Sequence, residues 1–464
     1  MRKRIAIAIV LVLSAAAVRA QNALPADVRG KIDSAVADVL KTTGAPSASV
    51  AVVRDGAIAY VHAYGLATID PRQPSAPEMR YSIGSISKQF TAAAMLMLVE
   101  DGKVSLDDPV SRWLPELTRA NEVTVRQILS MTSGYQDYWP QDYVMPPMLL
   151  PTTAQQILDG WAKKPLDFEP GTKWQYSNTN YVVAGAIVEK ASGMPIMDFL
   201  RQRVFGPLKM QTVTNIDDTP RGPGAPTGYL RYALGPARPA PIEGKGWTFA
   251  AFELGMTASD LARWDISMID QTVMKPESYR TMETEVRLTN GVGTGYGLGV
   301  QVGAPGGHRL ISHSGEVSGF TAQNSVYPDD RTAIVVLTNI DASGASGQIA
   351  SRIASALFAL SDSETKAAVD QAKAIYDGLQ HGRIDRSLFT SNCNAYFSAQ
   401  ALADFQSSLG SLGKPESFTQ AGQGLRGGMV LRRFQIKYPK QTLALTTFTM
   451  PDGTIEQYQI AATD

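Results

Sequence analysis

Cysteine is almost missing from this chain. Cys393 is the only one in 464 residues, so no intrachain disulfide can form and the fold must rest on its core. An excess of either charge is missing too: 43 Lys and Arg balance 43 Asp and Glu. That removes the general electrostatic reason to bind nucleic acid, and no long basic run supplies a local one. Histidine is scarce. His62, His308, His313 and His381 form no metal-ligand spacing with carboxylates or with Cys393. His308 and His313 lie five apart on a strand pattern, hence on opposite faces. No Gly-x-Ser-x-Gly elbow, P-loop or dinucleotide fingerprint occurs. No metal, no cofactor and no nucleic-acid partner is expected. Beyond Ala20 no segment is apolar enough to span a membrane.

What is present is ordinary for a globular protein: 44% hydrophobic and 19% charged residues. The first twenty or so residues are not. Arg2, Lys3 and Arg4 precede an apolar stretch that closes on Val18-Arg19-Ala20. This is the pattern of a secretory signal peptide over 1–20, with a mature chain from near Gln21 and a periplasmic or secreted location. An uncleaved anchor is the alternative, but the apolar part is short for a span.

Residues 21–360 read as one large domain. A helix over "PADVRGKIDSAVADVLKTTG" stops at Gly44, and two β-rich runs meet at Asp55-Gly56, a hairpin signal. Ser85–Asp101 reads as a helix, as does "YSNTNYVVAGAIVEKASG". The stretch from Thr212 to Phe249, rich in Pro, Gly and Ala, reads as a surface excursion. From Gly295 the pattern turns to strands, "GYGLGVQV", "HRLISHSG", "FTAQNSVYP" and "TAIVVLTN", before a closing helix. Hairpins at both ends exclude a doubly wound parallel sheet. The fold class is α+β, with terminal segments building one sheet around a helical insertion. Residues 361–464 read as a small C-terminal module of two helices and a β-meander, with Cys393 as a structural thiol.

The stretch "YSIGSISKQF" at Tyr81–Phe90 sets Ser85 and Lys88 on one helical face. At a helix start the serine oxygen would lie near the positive end of the macrodipole. A serine hydroxyl is a weak nucleophile until a base takes its proton. A lysine can be that base when burial lowers its pKa from about 10.4, and "QFTAAAMLMLV" is apolar enough for burial. Spacing alone decides little, because Ser363–Lys366 and Ser411–Lys414 match it as well. Those two sit in charged or Gly-containing contexts and read as caps and solvated faces. Two further features single out Ser85. Tyr176-Ser177-Asn178 is the only Tyr-x-Asn in the chain and precedes an apolar helix. Here a phenol can shuttle a proton and an amide can hold a substrate carbonyl. His313-Ser314-Gly315 ends a strand run, where glycine lets a ligand approach the backbone.

In that order, Ser-x-x-Lys, Tyr-x-Asn and His-Ser-Gly resemble the three motifs of the serine β-lactamase and penicillin-binding protein superfamily. They look most like the branch of class C β-lactamases, D-Ala-D-Ala carboxypeptidases, D-aminopeptidases and related esterases. The likeness covers about Asp33–Leu360 and includes "VTVRQILSMTSG", "FEPGTKWQYSNTNYVVAGAIVEKASG" and "YPDDRTAIVVLTN". It implies a β-lactamase/DD-peptidase-like domain, an antiparallel sheet flanked by helices plus a helical subdomain. It implies an acyl-enzyme mechanism with Ser85 as nucleophile, Lys88 as its base and Tyr176 as proton shuttle. Asn178, His313, Ser314 and Gly315 would bind substrate, and the backbone N–H groups of Ser85 and Glu316 would form the oxyanion hole. The implied partner is a small-molecule or peptide substrate: a D-amino-acid peptide, an ester or a β-lactam. Two departures from the family pattern stand out. His313 replaces a common lysine, the fixed cation that would hold a β-lactam carboxylate, and Met131 stands where relatives commonly carry histidine.

Overall fold

The computed structural model describes residues 24–218, 225–358, 363–426 and 429–463. The expected signal segment 1–20 and its cleavage near Gln21 lie outside these residues. Helix α1 (Ala26–Thr43) buries Val28, Ile32, Val36 and Val39, one stripe at helical spacing, and stops where Gly44 turns left-handed at φ 65°. Asp55 and Gly56, both at positive φ, then make the tight turn between β1 (Ser47–Arg54) and β2 (Ala57–Thr68).

A single antiparallel sheet joins the two ends of this region. Its other strands are β3 (Gln73–Pro74), β4 (Gln301–Gly303), β5 (Leu310–Val317), β6 (Phe320–Tyr327) and β7 (Thr332–Thr338), in the order β3-β2-β1-β7-β6-β5-β4. The seam is β1 against β7, with Val50 opposite Val336. Both strands are buried nearly throughout, which is why they read as continuous Val/Ile/Leu runs rather than alternating ones. Between β3 and β4 lie the helices. Helix α2 (Ser87–Glu100) is buried from Ser87 to Leu98 on every side, as befits a central helix, and packs against α3 (Thr179–Ser192). Helix α4 (Ala258–Asp270), capped by Thr257, packs on β1 and β7. The fold is α+β, as the hairpin signals imply.

Two sequence expectations shrink. The strand expected over "GYGLGVQV" is only Gln301–Gly303, because Gly295 and Gly299 sit at φ 65° and 76° and break extended geometry. The excursion from Thr212 to Phe249 contains short paired strands, among them Tyr229–Leu230 with Arg238–Pro239.

The chain forms two compact units. One comprises residues up to Gly303 with His308–Ala356, which includes most of α5 (Ala345–Phe358). The other comprises Leu357–Asp464 with Ala304–Gly307. In the second unit, α6 (Ser363–Leu379), α7 (Ser391–Tyr396) and α8 (Ala399–Gly410) accompany a four-stranded meander. Its strands run in sequence order: β8 (Ser417–Arg426), β9 (Met429–Lys437), β10 (Thr442–Thr449) and β11 (Ile455–Ala462). Tyr376, Leu379, Phe397, Phe434, Leu445 and Tyr458 form its core, with Cys393 buried among them. Strand β8 has no counterpart in the sequence reading. Its Gln and Gly residues give no apolar alternation, and its partner β9 supplies the register.

Two glycines probe the packing from opposite sides. A Cβ on Gly315 would lie 1.9 Å from the Ile83 carbonyl oxygen, whereas one on Gly30, exposed in α1, would meet nothing. Gly315→Ala is expected to destabilise the protein by more than about 3 kcal/mol, an overpacking against backbone. Gly30→Ala should stabilise it by roughly 0.5–1 kcal/mol. Denaturant melts of the two variants check this, and equal effects would contradict the packing.

Candidate active site

Gly84 starts the site. At φ 54° it bends the chain into a single 3-10 turn, Gly84–Ile86, ahead of α2. A Cβ there would come within 2.5 Å of the Glu316 nitrogen. Gly84 and Gly315 thus let the Gly84–Ile86 turn and β5 touch through bare backbone. The contact brings the Glu316 nitrogen beside the turn that carries Ser85. Ser85 lies in this turn rather than in the helix proper, and Lys88 is the second residue of α2. The pair still meets. Lys88 Nζ donates to Ser85 Oγ at 2.9 Å and to the Ala251 carbonyl at 3.2 Å.

Lys88 is wholly buried. Its Nζ stands 4.2 Å from the Phe252 ring centroid and 5.0 Å from that of Tyr176. Burial pushes its ammonium well below the usual lysine range, with Asp137 pulling weakly the other way. The amine next to Ser85 therefore sits where its neutral form is accessible. The Tyr176 hydroxyl is buried and makes no hydrogen bond of ordinary geometry. Burial raises its pKa, and proximity to Ser85 offsets part of that rise.

Asn178 is 4% exposed. Its amide nitrogen donates to Asp137 Oδ2 at 3.2 Å and to the Trp139 carbonyl at 3.1 Å, and its backbone N–H donates to Asp137 Oδ1 at 2.9 Å. Both side-chain neighbours are acceptors, so the amide orientation is fixed and Oδ1 is left without a partner. The group expected to donate to a substrate carbonyl is already engaged, and what remains is an acceptor.

His313 departs furthest from the sequence reading. Its Nδ1 meets the Ser314 carbonyl oxygen at 2.5 Å, so Nδ1 must carry the proton. Its Nε2 then accepts from the Tyr296 hydroxyl at 2.9 Å. Burial first, then Lys88, lowers the imidazole pKa to about 4. His313 is a neutral ring with both nitrogens engaged inside the protein, not a switchable cation for a substrate carboxylate. Met131 also finds a place. At φ 63° and fully buried, it turns its sulfur to the Ser177 N–H at 3.5 Å and to Asn178's neighbour Asn180, Nδ2, at 3.6 Å. Its carbonyl accepts from Gln175 N–H. The thioether thus supports the turn that presents Tyr176 and Asn178.

Ser85, Tyr176, Asn178, His313, Ser314 and Glu316 all line one cavity of about 350 Å³. Lys88 lies beneath it. The two other Ser-x-x-Lys matches are elsewhere: Lys366 pairs with Asp370, and Ser411 is exposed and bonds the Ser408 carbonyl.

The residues matching the Beta-lactamase family model are 32–357. The chain belongs to this family. It is 30% identical over 306 residues to penicillin-binding protein 4* of Bacillus subtilis, covering 63% of this chain and 67% of that protein. It is 31% identical over 304 residues to a D-aminopeptidase of Brucella anthropi, covering 64% of this chain and 56% of the relative. It therefore spans little more than half the length of that peptidase. Among solved structures, the D-amino acid amidase of Ochrobactrum anthropi SV3 complexed with D-phenylalanine superposes with a TM-score of 0.62 at 25% identity, covering 72% of this chain and 99% of the amidase. Such family members are serine hydrolases, and this chain is an enzyme of that kind. Among the described residues no helix is long and apolar enough to cross a membrane.

The sequence reading missed Asp137, Ala251, Phe252 and Tyr296. Asp137 sits in "GYQDYW", where an acid among aromatics is the one available hint. The other three act through contacts more than fifteen positions away in sequence, which no local pattern encodes.

Because His313 stays neutral above about pH 4, it should add no limb to activity between pH 5 and 8. A carboxylate-bearing and a neutral substrate should share one profile shape. His313→Lys would bury an amine where Tyr296 needs an acceptor. It should lower kcat for both by about tenfold or more, the effect of losing a buried hydrogen bond worth roughly 1–3 kcal/mol. Improved turnover of the carboxylate substrate alone would contradict the assignment.

Proposed function

We propose that this protein is an exported hydrolase that cleaves D-amino-acid peptides or amides, or esters, through an acyl-enzyme on Ser85. The observation that carries the reading is the Lys88 Nζ to Ser85 Oγ hydrogen bond under a cavity that also contains Tyr176. Neutral Lys88 takes the proton as Ser85 Oγ attacks the scissile carbonyl carbon. The backbone N–H groups of Ser85 and Glu316 receive the oxyanion. The proton passes by Lys88 and Tyr176 to the leaving nitrogen or oxygen, and the C–N or C–O bond breaks. Water then attacks the ester carbonyl, giving its proton to Tyr176 as Tyr176 passes its own to Lys88; the acyl C–Oγ bond breaks, the proton returns to Ser85 Oγ and the acid product leaves.

The ring of His313 is neutral and Lys88 is a depressed base, so neither is a fixed cation for a substrate carboxylate. This favours amide, amino-peptide and ester substrates over a β-lactam or a carboxypeptidase substrate. The relatives named a D-aminopeptidase and a D-amino acid amidase support the same choice.

Ser85→Ala should abolish covalent labelling by a fluorophosphonate and lower kcat by several orders of magnitude, whereas Ser411→Ala should label as the unaltered protein does. Full activity in Ser85→Ala would overturn the mechanism. Export rests on the N-terminal pattern. Mass spectrometry of the exported protein should find about 20 residues removed, and an intact Met1 there would contradict it.

A further inference from the structure

The Ser85 cavity is bordered by an apolar surface that the acyl-enzyme chemistry does not use. Inside, Trp139, Tyr143, Val144, Trp174, Phe252 and Val317 supply apolar wall. Outside, large apolar side chains stay exposed on two neighbouring segments. Tyr143 at 67%, Leu149 at 51% and Leu150 at 68% lie on one, and Ile242 at 45% lies on the other. A single exposed leucine needs no explanation. A group of them beside a ligand cavity marks a surface that something covers.

Hydrogen bonds join both segments to the cavity and to each other. The first begins in the cavity wall at Tyr143 and Val144. The second is tied to the wall from the other side, because Ser318 Oγ, on the lining, donates to the Pro241 carbonyl. The two then meet. The Gly244 N–H donates to the Met148 carbonyl at 2.7 Å, and a Cβ on Gly244 would lie 2.4 Å from the Leu150 carbonyl carbon. A path that leaves the cavity along one segment returns to it along the other. The first segment is also pinned at both ends: Trp139 Nε1 donates to the Tyr143 carbonyl at 3.2 Å, and Trp247 Nε1 donates to the Leu150 carbonyl at 2.8 Å. The exposed side chains thus project from a hydrogen-bonded backbone. Their charge setting is also defined. Over 140–150 and 241–244 the charged residues are Asp142 and Glu243, with no lysine or arginine.

We propose that this surface is the outer part of the substrate site and takes an extended, uncharged apolar chain of a substrate whose scissile carbonyl lies at Ser85. The inference rests on the hydrolase reading above and narrows its substrate class to esters or amides that carry such a chain. The occupant is part of the substrate because the surface is continuous with the reacting centre. A group that overfills a cavity of about 350 Å³ leaves by its mouth, where Tyr143, Leu149, Leu150 and Ile242 lie on the bordering segments. An anionic lipid surface fits less well, since the charges on both segments are acidic.

The test uses the full chain and reads protection of Ser85 from a fluorescent fluorophosphonate probe. Straight-chain alkylboronic acids, from ethyl to octyl, are the competitors. Their boron accepts Ser85 Oγ and becomes tetrahedral, so the alkyl chain starts where the substrate's would. The protecting concentration should fall by about threefold for each methylene that reaches the apolar surface. Leu150→Ser and Ile242→Ser are read as the ratio of ethyl to octyl protecting concentrations, so that a general loss of reactivity cancels. Each should cut that ratio several-fold. Equal protection by the ethyl and octyl compounds, or a ratio indifferent to both substitutions, overturns the inference, while labelling of Ser85 keeps the hydrolase reading. Equal protection together with flotation of the protein on phosphatidylcholine vesicles assigns the surface to lipid and overturns it as well. Absence of labelling takes down both readings.

Discussion

A lysine withdrawn from the surface governs this structure. Lys88 lies under the cavity with its Nζ held by Ser85 Oγ and the Ala251 carbonyl and faced by the rings of Phe252 and Tyr176. Desolvation disfavours the ammonium and brings the free amine within reach. Everything near it serves that state. Helix α2 is buried on all sides, so Nζ is withdrawn from solvent. Thr91 donates to the Ala250 carbonyl and Ser87 accepts the Leu254 N–H, tying α2 to the segment that carries Ala251 and Phe252. Asp137 keeps the balance from tipping wholly to the neutral form, and it also orients Asn178.

The same economy of charge shapes the cavity. Burial disfavours charge on two potential cations, Lys88 and His313, while Asp137, Asp142, Glu316 and Asp341 line the cavity. A base and an imidazole without charge can move or hold protons, but they attract no anion. Among the described residues that line the cavity, the charged side chains are acidic.

The parts legible in the sequence are those whose chemistry is local. Ser85–Lys88, Tyr176–Asn178 and His313–Gly315 declare themselves by spacing, and α1, α3 and α4 by periodicity and caps. The antiparallel α+β class follows from Asp55-Gly56 and the late run of strands. The parts that were not legible depend on distant partners. The Nε2 of His313 is engaged by the Tyr296 hydroxyl, seventeen residues earlier and brought alongside by the fold. The donor role first assigned to Asn178 fails because Asp137 and the Trp139 carbonyl occupy its nitrogen. Strand β8 exists because β9 pairs with it, and the glycines at 295 and 299 end a strand that composition alone extends.

The double-glycine crossing of Gly84 and Gly315 has a consequence for how such a site can vary. Where two backbones touch, there is no side chain to trim or enlarge, so the distance between the Ser85 turn and β5 is set by backbone van der Waals contact. Variation must enter from the other wall. That wall is the segment from Pro140 to Val144, whose residues line the cavity and several of which, Tyr143 among them, are exposed. The molecule therefore divides its labour spatially. One side holds reactivity constant, and the opposite side is free to drift toward new substrates without disturbing it.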